Sequence, residues 1–311
     1  MEKLIVSSSP HIHSGASTQR IMLDVVIALL PATVAAVVLF GLKALLMIAV
    51  SVATAVISEF VFNLVVKKKQ TVGDFSAVIT GLLLALNLPT TVTVWQIIVG
   101  AVFAIVVVKC LFGGIGCNFA NPALTARIMM LIAFGASIGG GTNPTIVDMN
   151  AGATPLAAIK SGATDSLPSL LDMLLGLRGG AIGETCAIAL ILGGIYLLAR
   201  RVISWHTPVI YVGTVFVLSL IVKQDLNMAL YQVLGGGLMI GAIFMATDYS
   251  TSPTNKLGKS VFALGCGLLT VLIRFLGGSP EGASYAILMM NILSPYIEKL
   301  CARKPFGKVG K

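Results

Sequence analysis

Apolar runs long enough to cross a bilayer recur along this chain, separated by short polar stretches. A spanning helix needs about 20 mostly apolar residues. Runs of that kind fall at 21–42, 44–66, 95–113, 121–138, 181–200, 207–222, 228–247, 259–276 and 283–300. A shorter run, 75–88, ends in Asn87-Leu88-Pro89-Thr90-Thr91 and reads as a half-helix. The run at 228–247, eighth in chain order, is interrupted by Gly235-Gly236-Gly237 and again by Gly241. The pattern predicts an all-α integral membrane protein of ten transmembrane helices, the third and eighth short or broken, in one membrane domain over 1–311. The interval 139–180 stands apart. It is rich in Gly, Pro, Ser, Thr and Asp, and a connection of that length inside a compact protein is commonly functional.

Composition agrees with a bilayer protein. Hydrophobic residues make up 57% and charged ones 11%, where soluble chains carry about 45–50% and about 25%. Mean hydropathy is +0.97. Such a chain cannot cover its surface with solvated groups, which excludes a soluble domain, a disordered segment, a coiled coil and a collagen. The net charge of +9 comes from Lys and Arg clustered between apolar runs, without the aromatic interleaving of a nucleic-acid surface. With ten spans, fourteen of the 21 Lys and Arg share the side of the termini. Five (Lys43, Lys160, Arg178, Lys223 and Arg274) fall on the other side, and Lys109 and Arg127 lie within spans. By the positive-inside rule both termini are cytoplasmic and 139–180 lies outside. The first twenty residues have no signal-peptide core, so insertion is expected to use the first span itself. The five Cys form no Cys-x-x-Cys pair and read as small core hydrophobes.

An internal repeat is visible across the central loop. Phe112-Gly113-Gly114 recurs as Leu276-Gly277-Gly278, and Thr80-Gly81 as Ile240-Gly241, both at an offset near 160 residues. Five helices per half is an odd number, so the second half (181–300) would be inserted upside down relative to the first (21–138). Inverted repeats with broken segments in matching positions are a transporter-like architecture, with a site near the midplane.

Ionisable residues inside spans are costly and tend to be functional. Glu59 and Glu184 are the deeper acids and, with Asp248, are candidates for an ion pathway; Asp24, Lys109 and Glu298 read as interfacial or helix-end residues. His11 and His13 have no third ligand near them in sequence, so a metal site there is not expected. In the outer loop, Asp148-Met149-Asn150-Ala151-Gly152-Ala153-Thr154-Pro155-Leu156-Ala157 holds a poorly shielded Thr hydroxyl, and Ser161-Gly162-Ala163-Thr164 follows ten residues later. On the residues alone both are turns with an N-capping Thr.

Four motifs together carry a resemblance. They are Ser8-Ser9-Pro10-His11-Ile12-His13-Ser14, Leu111-Phe112-Gly113-Gly114-Ile115-Gly116-Cys117-Asn118-Phe119-Ala120-Asn121-Pro122-Ala123, Gly152-Ala153-Thr154-Pro155-Leu156-Ala157, and Ala246-Thr247-Asp248-Tyr249-Ser250-Thr251-Ser252-Pro253. The whole chain resembles the RnfD subunits of Rnf complexes, the bacterial membrane ferredoxin:NAD⁺ oxidoreductases that move Na⁺ or H⁺. It is similar, more remotely, to the NqrB subunit of the Na⁺-translocating NADH:quinone oxidoreductase. The absence of a long extra N-terminal segment favours the first.

The resemblance implies two inverted five-helix repeats like those of urea transporters, and FMN joined through its phosphate to a Thr in a Ser/Thr-Gly-Ala-Thr motif on the outer face. The following Pro-Leu-Ala matches the attachment to Thr154, with Gly152, Ala153 and Asp148 beside it, although Ala151 replaces the residue that normally opens the motif. Thr164 has the intact lead but lacks the Pro-Leu-Ala. A second, non-covalent flavin such as riboflavin is left open. The implied partners are the other membrane subunits, a second FMN subunit and iron–sulfur subunits, with a flavin transferase for maturation and membrane lipid around the helices. The chain has no dinucleotide fingerprint after a strand and no Cys set for a cluster, so hydride transfer to NAD⁺ and uptake from ferredoxin belong to those partners. A solute channel or secondary transporter without flavin, or a structural subunit, are the competing readings.

Overall fold

The computed structural model describes residues 17–139, 141–145, 154–163, 167–278 and 280–302. Among these, regular structure is helical throughout, apart from an isolated antiparallel bridge between Thr142 and Gly180. Helix α1 (Thr18–Phe40) begins where the Ser17 side chain accepts from the Arg20 amide at 3.3 Å. The chain turns at Gly41 directly into α2 (Leu42–Val65). Both helices leave large apolar side chains exposed along one face, Val34, Val38 and Leu64 among them, as lipid-facing helices must.

After a 3-10 turn (Val72–Asp74) comes the short, almost entirely buried α3 (Ser76–Leu86). Helix α4 (Val94–Val102) continues as π-helical turns through Phe103–Cys110, followed by α5 (Pro122–Ala133) and the single turn α6 (Gly135–Ile138). Within the central loop lie α7 (Pro155–Ser161) and α8 (Leu170–Leu175). The second half holds α9 (Ala187–Ala199), α10 (His206–Lys223), α11 (Leu226–Leu234), α12 (Leu238–Ile240) running into π turns (Gly241–Met245), α13 (Lys256–Leu276) and α14 (Ala283–Leu300).

Four of these helices, α1, α2, α10 and α13, are long and apolar enough to cross a membrane alone. A fifth is reached if α11 and the α12 segment, bent by 63° at the glycines, count as one broken span. Helix α14 equals α10 in length but is less apolar, the other apolar runs are shorter helices, and two of these differ from the sequence expectation for identifiable reasons. The run 121–138 stops at Phe134, whose backbone (φ −130°, ψ 40°) ends α5 before Gly135 restarts the chain. The run 181–200 is helical only from Ala187, because its first residues bond sideways instead. The amides of Ile182 and Gly183 donate to the carbonyls of Leu88 and Leu86 at 3.1 and 2.8 Å, knitting this turn to the end of α3. At the eighth run the sequence expectation and the structure agree on the place of the break. Gly236 has φ +63°, a conformation that glycine adopts without steric cost.

Long-range packing follows a pattern. Helix α2 packs on α4 as α10 packs on α13; α4 meets α5 as α13 meets α14; and α1 lies against α9. That last contact is close. A methyl group placed on Gly193 of α9 would stand 2.2 Å from the carbonyl oxygen of Ala28 in α1. Of the five free cysteines, Cys110 and Cys266 are buried as expected, whereas Cys117 is exposed, because it sits in the loop after the π turns rather than on a packed helix.

Candidate functional site

Thr154 is the N-cap of α7. Its backbone is extended (φ −67°, ψ 149°), Pro155 occupies the first helical position, and its Oγ1 accepts from the Ala157 amide at 3.3 Å. Contrary to the poorly shielded hydroxyl expected from the sequence, the residue is buried at 8% exposure, because its methyl group faces Gly141, next to the Thr142–Gly180 bridge. Leu156 anchors the helix. It is buried, and it packs against Gly235 and Gly236 so closely that a methyl group on either would lie within 3 Å of its side chain. At the far end of α7 the Lys160 ammonium donates to the Gly277 carbonyl. Thr154 therefore opens a helix that is bolted to the break between α11 and α12. Asp148, Gly152 and Ala153, with Thr164 and the two N-terminal histidines, lie outside the described residues.

Behind that break is a buried polar centre. Asn87 comes from the end of α3, Arg127 from α5, Glu184 and Arg178 from the turn before α9, and Glu281 and Ser284 from the start of α14. Arg127 Nη1 donates to Asn87 Oδ1 at 3.2 Å and to Ser284 Oγ at 2.9 Å, and its Nη2 pairs with Glu281. Glu184, 1% exposed, accepts from the Ala181 amide at 3.1 Å with Oε1. Its Oε2 is buried and has no partner among the described residues. Arg178 is as deeply buried and, among the described residues, donates only to backbone carbonyls, those of Thr185 at 3.3 Å and Glu184 at 2.7 Å. Gly237 lies between Arg127 and Glu184. A methyl group there would stand 3.1 Å from Arg127 Nη1 and 3.2 Å from Glu184 Oε2. The absence of a side chain at Gly237 is what lets these two charges face each other's elements.

Glu59 and Asp248 occupy a different part of the molecule. Glu59 Oε1 receives the Lys109 ammonium at 2.9 Å and the Thr71 hydroxyl at 2.6 Å, and Lys109 also donates to Ser76 Oγ at 2.6 Å. Lys109 does close a helix, as expected of it, but it is buried and ion-paired rather than interfacial. The π turns bring it there: the extra residue per turn rotates the helix end toward α2 and α3.

Asp248 follows the second set of π turns. It accepts from the amide of Ser250 at 3.3 Å and from the hydroxyls of Ser250 and Thr251 at 3.0 and 3.3 Å. Burial pushes its carboxyl above the ordinary carboxylate range despite these bonds, and burial together with Asp248 pushes the neighbouring Tyr249 phenol up to about 12. Asp248, Tyr249, Lys109, Asn118 and Asn121 line one cavity of about 110 Å³, so two of the resemblance-bearing motifs meet there. Asn118 Oδ1 is buried without a partner among the described residues.

The three acids thus do not converge: Glu184 stands near Thr154, Asp248 lines the other cavity, and Glu59 lies behind Lys109 of that cavity's wall. Asp24 bonds Tyr196 and Arg200, and Glu298 bonds Thr254. Sequence reasoning did not single out Arg178, Arg274 or Glu281 as site residues. An Arg in the last turn of an apolar run was the available signal for Arg274. Among the described residues no cluster of His, Cys, Asp and Glu could hold a metal ion.

Residues 5–307 match the model of the NQR2, RnfD, RnfE family. Over 98% of its length the chain is 47% identical to the D subunit of the Na⁺-translocating ferredoxin:NAD⁺ oxidoreductase complex of Acetobacterium woodii, covering 95% of that protein. It is 38% identical to the D subunit of the proton-translocating ferredoxin:NAD⁺ oxidoreductase complex of Clostridium ljungdahlii, over 97% of this chain and 96% of the relative. Against the D subunit of the ion-translocating oxidoreductase complex of Stutzerimonas stutzeri the identity is 35%, over 94% and 93%.

Proposed function

The chain belongs to the NQR2, RnfD, RnfE family, and from that premise we propose that it is the D subunit of a membrane ferredoxin:NAD⁺ oxidoreductase complex. In this reading it passes electrons through FMN esterified to Thr154, while the complex translocates Na⁺ or H⁺ across the bacterial cell membrane. The observation that carries the complex assignment is near full-length similarity to D subunits of such complexes, at 47% and 38% identity in two of them. The same similarity favours a redox subunit over a solute channel or transporter. Its partners are the other subunits of that complex, and a flavin transferase installs the cofactor.

The residues around Thr154 are compatible with the ester. The hydroxyl oxygen acts as an acceptor from the Ala157 amide, and its own hydrogen donates to nothing among the described residues. A phosphoester oxygen keeps a lone pair for that amide, so attachment leaves the helix cap intact. When bound, the flavin supplies one- and two-electron chemistry, and the protein positions it and tunes it.

The same reading takes the fold as two inverted five-helix units, 21–138 and 181–300, with 139–180 outside and both termini cytoplasmic. The repeated packing of α2 on α4 and of α10 on α13 supports it, as does the meeting of α1 with its counterpart α9. The test is in-gel flavin fluorescence of the protein isolated from its complex after denaturation. Thr154→Ala is expected to abolish the fluorescence while the complex still assembles, since losing the cap costs only about 1 kcal/mol. Thr164→Ala is expected to keep it. Fluorescence surviving in Thr154→Ala overturns the assignment.

A further inference from the structure

Lys160, Lys223 and Arg274 line one cavity of about 150 Å³ whose wall contains no carboxylate among the described residues. Each cation is held there by neutral groups. Arg274, 5% exposed, donates from Nη1 to the Gln232 side-chain oxygen and from Nη2 to the Gly235 carbonyl, both at 3.2 Å. Its Nε is buried and has no partner among the described residues. Lys160 donates to the Gly277 carbonyl, and the Lys223 ammonium lies 5.6 Å from the centroid of the Phe275 ring. Glu281 stands across Gly236 from Arg274, but Arg127 engages its carboxylate. Glu281 and Glu184 act on Arg274 only at a distance, its Nε stays unpaired among the described residues, and two ammonium groups on the same cavity add repulsion. The cavity is built for an anion.

Its position says which. Lys223 ends α10 and Arg274 lies in the last turn of α13, two helices of membrane-spanning length. Around this rim Ile221, Val222, Leu226 and Leu276 are exposed, so apolar surface continues outward from the cations. A cavity of this size is well below the about 300–1,000 Å³ that encloses a drug-sized molecule, which argues for a compact anionic head and against a tricyclic ring. The phosphate expected on Thr154 is a separate anion, because six residues of helix place Lys160 roughly 9 Å further along α7.

We propose that Lys160, Lys223 and Arg274 bind the phosphate of an anionic phospholipid headgroup, with the acyl chains lying along the exposed ends of α10 and α13. The lipid would clamp α7 to the ends of both helices, whether or not Thr154 carries flavin. The intact complex is to be delipidated and returned to nanodiscs of phosphatidylcholine with a fraction of phosphatidylglycerol. The phosphatidylglycerol retained after detergent exchange is then measured by native mass spectrometry. Lys160→Gln and Lys223→Gln are each expected to weaken retention roughly fivefold, Lys223→Arg to preserve it, and Lys43→Gln, a cation away from the cavity, to leave it unchanged. Equal retention in all variants, or none in the unaltered protein, overturns the proposal. So does inorganic phosphate occupying the cavity as strongly as phosphatidylglycerol, which would make it a site for free phosphate.

Discussion

At the scale of single residues, the buried charges divide into those with a counter-charge and those held by dipoles. Glu59 and Lys109 form a closed pair, both nearly inaccessible. Removing one partner of such a pair leaves an uncompensated buried charge at a cost of about 3–5 kcal/mol, whereas replacing both by apolar groups is often neutral. Lys109→Met is therefore expected to lower the thermal stability of the protein strongly, and Lys109→Met combined with Glu59→Leu to recover most of it. A single variant as stable as the unaltered protein would show that the pair carries no such compensation.

Asp248 makes a prediction of opposite sign to the usual salt-bridged carboxylate. Its pKa is raised in the folded loop, mainly by burial, so its contribution is present at low pH and lost as pH rises through that elevated value. Hydrogen-exchange protection of 246–255, corrected for intrinsic rates, should fall over that rise. In Asp248→Asn it should stay flat; a matching fall there would remove Asp248 as the cause. Thr154 as a helix cap was legible in its own neighbourhood, because a Thr before Pro is a local signal. The polar centre was not, since it joins Asn87, Arg127, Glu184 and Glu281, residues far apart in the chain that only packing brings together.

Among the elements, the helices whose ends carry local signals were legible to within a few residues: α1, α2, α10, α13 and α14. The breaks were legible only where glycine marks them, as at Gly235-Gly236-Gly237. The unwound turn 181–186 holds one glycine, Gly183, but what unwinds it is that its backbone bonds go to Leu86 and Leu88, a long-range fact that no local window contains. The contact of α1 with α9 depends on one missing side chain. Gly193→Val would drive a branched group into the Ala28 carbonyl, and overpacking of this kind costs about 1–3 kcal/mol or more where backbone must move. The variant should assemble poorly into the complex, with Gly213→Val, at a position with open space around it, assembling normally. Equal yields would mean the two helices separate freely.

For the whole molecule, charge distribution implies orientation. In the proposed topology, with most Lys and Arg on the side of the termini, α7 and its cationic cavity face outward. In a background without exposed cysteine, Lys160→Cys should react with a membrane-impermeant maleimide in intact cells, and Lys68→Cys only after lysis. The reverse pattern would invert the topology. That outward face is where the proposed flavin sits, on a short helix pinned through Leu156 to the broken span and backed by the polar centre of Arg127 and Glu184. The central claim is the flavin proposed on Thr154. Peptide mass mapping of the protein taken from its native complex tests that claim most directly. An FMN-sized increment on the peptide bearing Thr154 is the predicted result. The same increment on Thr164 would contradict the residue assigned, and a protein without flavin would contradict the redox role itself.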